Sequence, residues 1–354
     1  MNCDLEKIVS LLQRSNPQYS ENDMFSFFQR NQCVELFLLL ANTPERQEKI
    51  KKQYLINAKK TMAHWEACSS FFELLNDCQI SYATLKGAVL SKMIYNNEML
   101  RQSSDIDIII DSKDVSKVRT LLKSQGFLQG KIINQEIVSY NRHELLYYTV
   151  NTHQQAPFIK KNDNQICPYI MIDLNTDLMW GESNKTLNVA DFLSNIESTV
   201  VCGIHTKKLS PPAEFVALCL HHYKDMNSIY LLYTRGLSLR LFFDIYNYLE
   251  QVAPDIQQVA KIAQKFRVSR YVAACIFNVR QFFGIDIDEL VLPYLNALGE
   301  WDLRDTFGLN ERESYFWNIE LYDRFFPEKL QKYFDCVLNE KEKKKIQTNL
   351  KWMN

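Results

Sequence analysis

Apolar residues recur at helical spacing through the first eighty residues of the chain. Between Pro44 and Cys78 there is no glycine or proline. The apolar positions of this stretch follow three- and four-residue steps: Leu55, Ala58, Met62, Trp65, Cys68, Phe72 and Leu75. Such spacing predicts amphipathic helix with one buried stripe. Thr43 before Pro44 is typical of an N-cap followed by a first-turn proline, after the apolar run Val34–Asn42.

The pattern changes at Ile80, where short β-branched runs alternate with helical stretches. We predict strands over Ile80–Leu85, Ser104–Asp111, Ile137–Val150 and Tyr169–Leu174. Helices are predicted over Ala88–Tyr95 and Lys113–Gln125, with Gly126 at the position of a C′ glycine. This middle part is an α/β unit.

Beyond Pro211 and Pro212 the spacing is helical again. The predicted helices are Glu214–Tyr223, Ser238–Leu249, Ile256–Phe266, Tyr271–Phe282 and Leu330–Leu338. Aromatic residues are frequent here, and we expect a helical array to pack them into its core. The chain thus divides into an N-terminal helical region (1–79), an α/β core (80–205) and a C-terminal helical domain (206–354), which is an α+β protein.

Composition narrows the class of protein. With 354 residues, 46% hydrophobic and 23% charged, the chain is ordinary for a globular protein, and nine glycines and nine prolines favour helix. The net charge of -1 argues against a long nucleic-acid partner. Nine scattered cysteines, an acidic N-terminus and no membrane-length apolar run predict a cytoplasmic protein with no membrane partner.

Two carboxylates in the second predicted strand carry the chemistry. Asp105 and Asp107 alternate with Ile106, so both side chains project from one face while the isoleucines face the other. Like charges this close repel each other, and a divalent cation removes the conflict. The alternative is a solvated strand end, with Asp111 as a helix cap.

These residues carry a resemblance to a known family. Leu85-Lys86-Gly87, Tyr95, Arg101 and Asp105-Ile106-Asp107 resemble the uncharacterised nucleotidyltransferases of the DNA polymerase β superfamily, over roughly residues 50–250. The resemblance implies a polymerase β-like core, a mixed sheet with flanking helices. It also implies magnesium, with manganese as an alternative, on Asp105, Asp107 and a third carboxylate.

The third carboxylate is expected at the end of a later strand. Asp173 ends the apolar run Tyr169–Leu174 and fits that place, whereas Asp177 is its rival on the same face. A turn or capping role for Asp173 stays open. Asn175 departs from the histidine found in many relatives. Lys86 likewise replaces the small residue that usually precedes the turn glycine in the wider superfamily.

Nucleotide-binding residues follow from the same resemblance. Lys86 and Gly87 open a helix whose free N–H groups suit the phosphates of an NTP such as ATP. The further candidates are Arg101, Lys224 and Arg240. Each has an alternative: an exposed lysine at 86, an Arg101–Asp105 pair and an Arg240–Asp244 helical pair. His143, predicted on a strand, and His221 and His222, predicted on a helix, have no assigned role.

The predicted activity is metal-dependent transfer of an NMP from an NTP to an acceptor, with release of pyrophosphate. The acceptor is undetermined: a small molecule, a peptide, a protein or an RNA end. Two alternatives stay open. One is a catalytically inactive nucleotide-binding or regulatory module of the same fold, and the other is an ATP-dependent phosphotransferase using Lys86.

Overall fold

The structure is a computed structural model that describes residues 21–33, 44–151, 154–181, 183, 185–284, 306–309 and 315–353. The predicted apolar run Val34–Asn42 lies outside these residues. The chain forms two compact units. The sheet unit comprises Gln32–Leu218 and Asn247–Asp255, and the helical unit comprises Met1–Asn31, Cys219–Tyr246 and Ile256–Asn354. The three-part division drawn from the sequence stays a prediction.

Ten strands are described, eight of them in the sheet unit. They are β1 Tyr82–Leu85, β2 Ile106–Ile110, β3 Leu128–Ile133, β4 Glu136–Ser139, β5 Phe158–Lys161, β6 Tyr169–Asn175, β7 Ile196–Val201, β8 Ile204–Leu209, β9 Thr306–Phe307 and β10 Tyr315–Phe316.

The helices are named in chain order among the described residues. They are α1 Glu21–Arg30, α2 Pro44–Ala67, α3 Ser69–Asp77, α4 Gly87–Tyr95, α5 Val115–Ser124, α6 Arg142–Asn151, α7 Val189–Phe192, α8 Pro211–Asn227, α9 Ile229–Arg235, α10 Leu239–Asn247, α11 Ile256–Lys265, α12 Ser269–Phe283, α13 Pro327–Val337 and α14 Glu340–Met353. Shorter 3₁₀ turns are Ser112–Asp114, Leu193–Asn195 and Leu321–Phe325, and a π-helical segment covers Tyr248–Val252.

A mixed sheet of six strands organises the sheet unit, in the order β1-β2-β6-β5-β3-β4. β2 and β6 pair in parallel and the other neighbours pair antiparallel. A separate hairpin, β7–β8, is joined to β1 by the hydroxyls of Thr84 and Thr206, 2.8 Å apart. With helices flanking a mixed sheet, the predicted α+β class is confirmed.

The core lies on the face of β2 opposite the aspartates. Ile106, Ile108 and Ile110 are buried in the main apolar cluster, as the alternation predicted. Helices α2 and α3 cover the cluster with aromatic rings, among them Trp65 stacked on Phe72 at 5.3 Å between centroids. This burial holds β2 in place by the hydrophobic effect and so fixes the strand that carries Asp107.

The predicted stripe of α2 is partly wrong. Leu55 and Met62 are exposed, at 56% and 55%, whereas Asn57, Thr61 and His64 are buried. The polar residues lie inside because they find partners there, as Asn57 does by accepting a hydrogen bond from Gln53 at 3.0 Å. Apolar spacing alone therefore placed the first half of the helix on the wrong face.

The predicted strand Ile137–Val150 is wrong beyond Ser139. It holds the short β4 and then helix α6, on which His143 is exposed. The helix begins because Asn141 Oδ1 accepts hydrogen bonds from the backbone of His143 and Glu144, at 2.8 and 3.0 Å. Glu144 in return accepts from the Asn141 N–H at 2.8 Å, which completes a capping box.

The helical unit has the aromatic core expected from its composition. Phe242, Phe282 and Phe325 form a buried triangle with ring centroids 4.9–5.5 Å apart. Edge and tilted contacts of this kind add to the burial of the rings themselves.

Candidate active site

Two predicted site residues lie side by side on neighbouring strands. The parallel register of β2 and β6 makes the Cα of Asp107 the partner of the Cα of Asp173. Asp105 comes just before β2, and Asp173 lies within the electrostatic influence of both other aspartates. The structure thus brings together the three carboxylates proposed from the sequence.

Asp173 has the most perturbed environment of the three. Burial, together with the neighbouring charges of Asp107 and Asp105, raises the pKa of its carboxyl to about 7. A hydrogen bond from Gln154 and the charge of Lys86 act in the opposite direction. Asp173 Oδ1 is buried without a hydrogen-bond partner. Such an oxygen is suited to accept a cation.

Lys86 and Gly87 form the turn between β1 and α4. Lys86 has φ 55° and ψ -144°, and Gly87 has φ 48°. Lys86 Nζ lies 2.9 Å from Asp107 Oδ2, and Asn175 Nδ2 lies 3.4 Å from Asp107 Oδ1. The lysine predicted to bind phosphate is half-buried and contacts Asp107 directly.

Asp105 is held by a residue that the sequence analysis missed. Ser103 Oγ lies 3.0 Å from Asp105 Oδ1 and 2.8 Å from the Asp105 carbonyl oxygen. Arg101, two residues earlier, is 4% exposed, and its backbone N–H donates to Ser91 Oγ at 2.9 Å. The loop before β2 is thus anchored at both residues, which orients Asp105.

Asp177 has a different position from Asp173. Its Oδ1 accepts the N–H of Met179 at 2.9 Å, and its Oδ2 accepts the N–H of Leu187 at 3.0 Å. With 8% exposure, this carboxylate is buried in a turn that follows β6. Its two oxygens are used by the backbone, so Asp177 stabilises the turn.

A pocket opens beside Asp105, between α2 and the Lys86–Gly87 turn. Its lining includes Thr61, His64, Lys86, Ser103 and Asp105. His64 Nε2 lies 2.9 Å from the carbonyl oxygen and 3.2 Å from the nitrogen of Met171. The pairing of β2 with β6 begins at Ile172, one residue later. On the side of β6 that faces β2, the backbone of Met171 therefore has the His64 ring as its partner.

The remaining candidates belong to the helical unit. Lys224 lies on α8 and Arg240 on α10, both half-buried. His222 Nε2 lies 3.4 Å from Asp244 Oδ2 with both side chains fully buried. His221 lies 3.7 Å from Asp225, which also pairs with Arg235 at 2.7 Å. These contacts give the two histidines structural partners within their own unit.

The carboxylates do not form a closed metal cage. Across the described residues, no group of three or more histidine, cysteine, aspartate or glutamate side chains is placed to hold a metal ion. Magnesium commonly takes one or two protein carboxylates and completes its coordination with water and phosphate oxygens. Hard carboxylate oxygens and the unpartnered Asp173 Oδ1 fit a site of this open kind.

Ser103, Gln154 and His64 were not predicted as site residues from the sequence. Ser103 lies within the motif region and carried a usable signal, because a hydroxyl two residues before a carboxylate can bond to it. Gln154 and His64 reach the site only through tertiary contacts, with Asp173 and Met171. Such contacts leave no pattern in the local sequence.

Comparison with known proteins places the chain among the nucleotidyltransferases. It belongs to the family described as "Uncharacterised nucleotidyltransferase", whose match covers residues 32–284. This confirms the resemblance seen in the motif around Lys86 and Asp105.

Two further comparisons add little. A crystal structure of an antigenic nucleotidyltransferase-like protein from Paracoccidioides brasiliensis is similar over 68% of this chain and 94% of that chain, at 14% identity and a TM-score of 0.37. At that score the likeness says nothing about the site. No curated protein matches the chain.

Within the described part of the chain, no helix is both long and apolar enough to span a bilayer.

Proposed function

We propose that the chain transfers an NMP from an NTP to an acceptor hydroxyl or phosphate, in a magnesium-dependent reaction. The observation that carries the proposal is the parallel pairing of Asp107 with Asp173, beside Asp105. Three carboxylates with an unpartnered buried oxygen fit a divalent cation better than they fit a stabilising role. Membership of a nucleotidyltransferase family supports an NTP as the donor.

The residues of the chain have distinct proposed roles. Asp105, Asp107 and Asp173 would hold the metal, which when bound would supply Lewis-acid activation of the acceptor and charge neutralisation of pyrophosphate. Gly87 would let the chain approach the phosphates closely, and the free N–H groups at the start of α4 would be their donors. Lys86 supplies a cation at the same place. Arg101, Lys224 and Arg240 remain predicted nucleotide contacts.

The proposed transfer needs no reactant besides the NTP and the acceptor. The acceptor oxygen forms a bond to the α-phosphorus, and the bond from that phosphorus to the bridging oxygen of the β-phosphate breaks. Pyrophosphate leaves with the electron pair, and the acceptor proton passes to water. The acceptor is proposed to be a small molecule, a peptide, a protein or an RNA end, in a cytoplasmic setting.

The test is an isotope assay that separates three classes of function. The purified chain is incubated with magnesium, α-labelled or γ-labelled NTP, and pools of metabolites, peptides, proteins or RNA. We expect the α-label to appear in an acceptor, with the product identified by mass spectrometry. A γ-label in the product would instead show a phosphotransferase, and no labelled product from any pool would indicate an inactive nucleotide-binding module.

Asp107→Asn supplies the site-specific arm of this assay. It is expected to lower transfer by orders of magnitude while keeping an oxygen near Lys86 Nζ. Asp163→Asn is the matched control, because Asp163 is an exposed aspartate of the β5–β6 connection. Wild-type turnover in Asp107→Asn, or equal losses in both variants, would contradict the proposed site.

A further inference from the structure

Glu214 is a buried carboxylate that the proposed reaction does not use. It lies in the first turn of α8, within the sheet unit, and is 1% exposed. Burial raises the pKa of its carboxyl to about 7, while Lys208 and hydrogen bonds from the backbone N–H groups of Lys86 and Leu209 favour the charged form. An acid at a helix N-terminus gains from the helix dipole while exposed, so the dipole does not explain its burial.

The residue that Glu214 contacts is strained. Lys86 has φ 55° with ψ -144°, a conformation that glycine adopts readily and a lysine does not. Gly87 follows with φ 48°. Two successive residues of positive φ need support from their surroundings to persist.

Lys86 is supported from both ends. Its backbone N–H bonds to the Glu214 carboxylate, and its Nζ lies 2.9 Å from Asp107 Oδ2. Glu214 therefore fixes the backbone from which the Lys86 ammonium reaches the aspartates. Loss of the hydrogen bond between the Lys86 N–H and Glu214 would free the turn, although the Lys86 side chain would still be present.

Glu214 is itself on a rigid platform. The ring of Phe215, its neighbour, lies 5.4 Å from that of Tyr248, which is fully buried. Tyr248 Oη donates to the Pro211 carbonyl oxygen at 2.9 Å, which ties the first turn of α8 to the π-helical segment. A platform of this kind holds a partner group in one geometry.

We propose that Glu214 is a positioning residue, which holds the Lys86–Gly87 turn so that Lys86 faces the carboxylates and the phosphates of a bound nucleotide. Its effect on nucleotide binding rests on the proposed function, whereas its effect on the turn does not. Glu214 acts through Lys86 and has no assigned contact with the reacting atoms.

The chain offers a matched pair of substitutions. Glu214→Gln keeps an oxygen acceptor, and its NH₂ can take the place of Oε2, which has no hydrogen-bond partner. Glu214→Met keeps the length of the side chain but removes the acceptor. Val216→Ala, at a fully buried position on the same helix, is the control for a general loss of stability.

The first readout is amide hydrogen exchange at Lys86 in the full chain, which needs no activity. We expect Glu214→Met to speed exchange at least tenfold relative to amides in β6, Glu214→Gln to stay within about twofold of wild type, and Val216→Ala to show no selective change. Unchanged protection in Glu214→Met would overturn the positioning role, whatever the protein does.

The second readout is a double-mutant cycle on nucleotide affinity. The α,β-methylene analogues of the four NTPs are first compared in the presence of magnesium. The one that binds most tightly is used as the probe. Glu214→Met and Lys86→Met should each weaken binding about tenfold, and the double variant should bind no more weakly than Lys86→Met alone. Additive losses would overturn the role through Lys86, whereas absence of binding by the wild-type chain would contradict the proposed function.

Discussion

Asp173 and Asp177 have the same carboxyl group on the same stretch of chain, in different surroundings. Asp173 faces other carboxylates and has an unpartnered oxygen, whereas both oxygens of Asp177 accept backbone hydrogen bonds. Two aspartates near the end of one strand are therefore distinguished by whether backbone N–H groups bond to their carboxylate oxygens. The sequence could favour Asp173 from the strand pattern, but the partners of Asp177 lie in a turn that closes on Leu187.

Substitution by asparagine separates the two at the residue scale. Asp177→Asn is expected to cost about 1–3 kcal/mol of stability, because one of two buried N–H groups loses its acceptor. Transfer per folded molecule should be retained. Asp173→Asn is expected to abolish transfer while its melting temperature is unchanged or raised, since it removes a buried, repelled charge. Calorimetry and the label assay on both variants check this, and the reverse pattern would exchange their roles.

At the scale of elements, the sequence predicted β1, β2, β6 and most of the helices, did not predict β3, β5 or the β7–β8 hairpin, and mistook two segments. β2 and β6 follow from β-branched alternation, which local sequence records. Helix α6 was mistaken for strand because its apolar residues suit either period, although the Asn141–Glu144 capping box marked its start. The buried polar face of α2 could not be predicted, since its partner for His64 is a strand more than a hundred residues away.

The contact between α2 and β6 gives a pH-dependent prediction. Burial lowers the pKa of His64 from 6.5, so below pH 6.5 the unfolded chain binds a proton that the folded chain resists. Stability from the neutral ring is present above that pH and is lost as the pH falls.

His64→Gln removes this titration. We expect it to be less stable than wild type above pH 7, and the gap to narrow below pH 6.5 by up to about 1.4 kcal/mol per pH unit. His205→Gln, at an exposed histidine on β8, is the matched control for the substitution itself. Urea denaturation from pH 5 to 8 measures it. A constant gap for His64→Gln would show that the histidine does not titrate in this way.

At the scale of the whole molecule, the family match covers residues 32–284, which include all of the sheet unit and part of the helical unit. The carboxylates, the Lys86–Gly87 turn and Glu214 all belong to the sheet unit, whereas Lys224 and Arg240 belong to the helical unit. Magnesium and nucleotide are proposed to complete one site together, because the carboxylates form no closed cage among the described residues. Neither ligand alone should then bind well.

The most direct test of the account is the melting temperature of the full chain with magnesium, with a non-hydrolysable NTP analogue, and with both. The account predicts a combined shift larger than the sum of the separate shifts, because each ligand supplies part of the binding site of the other. In Asp173→Asn the excess should disappear, and in Asp163→Asn it should remain. Purely additive shifts in the wild-type chain would contradict a metal and nucleotide site built on Asp105, Asp107 and Asp173.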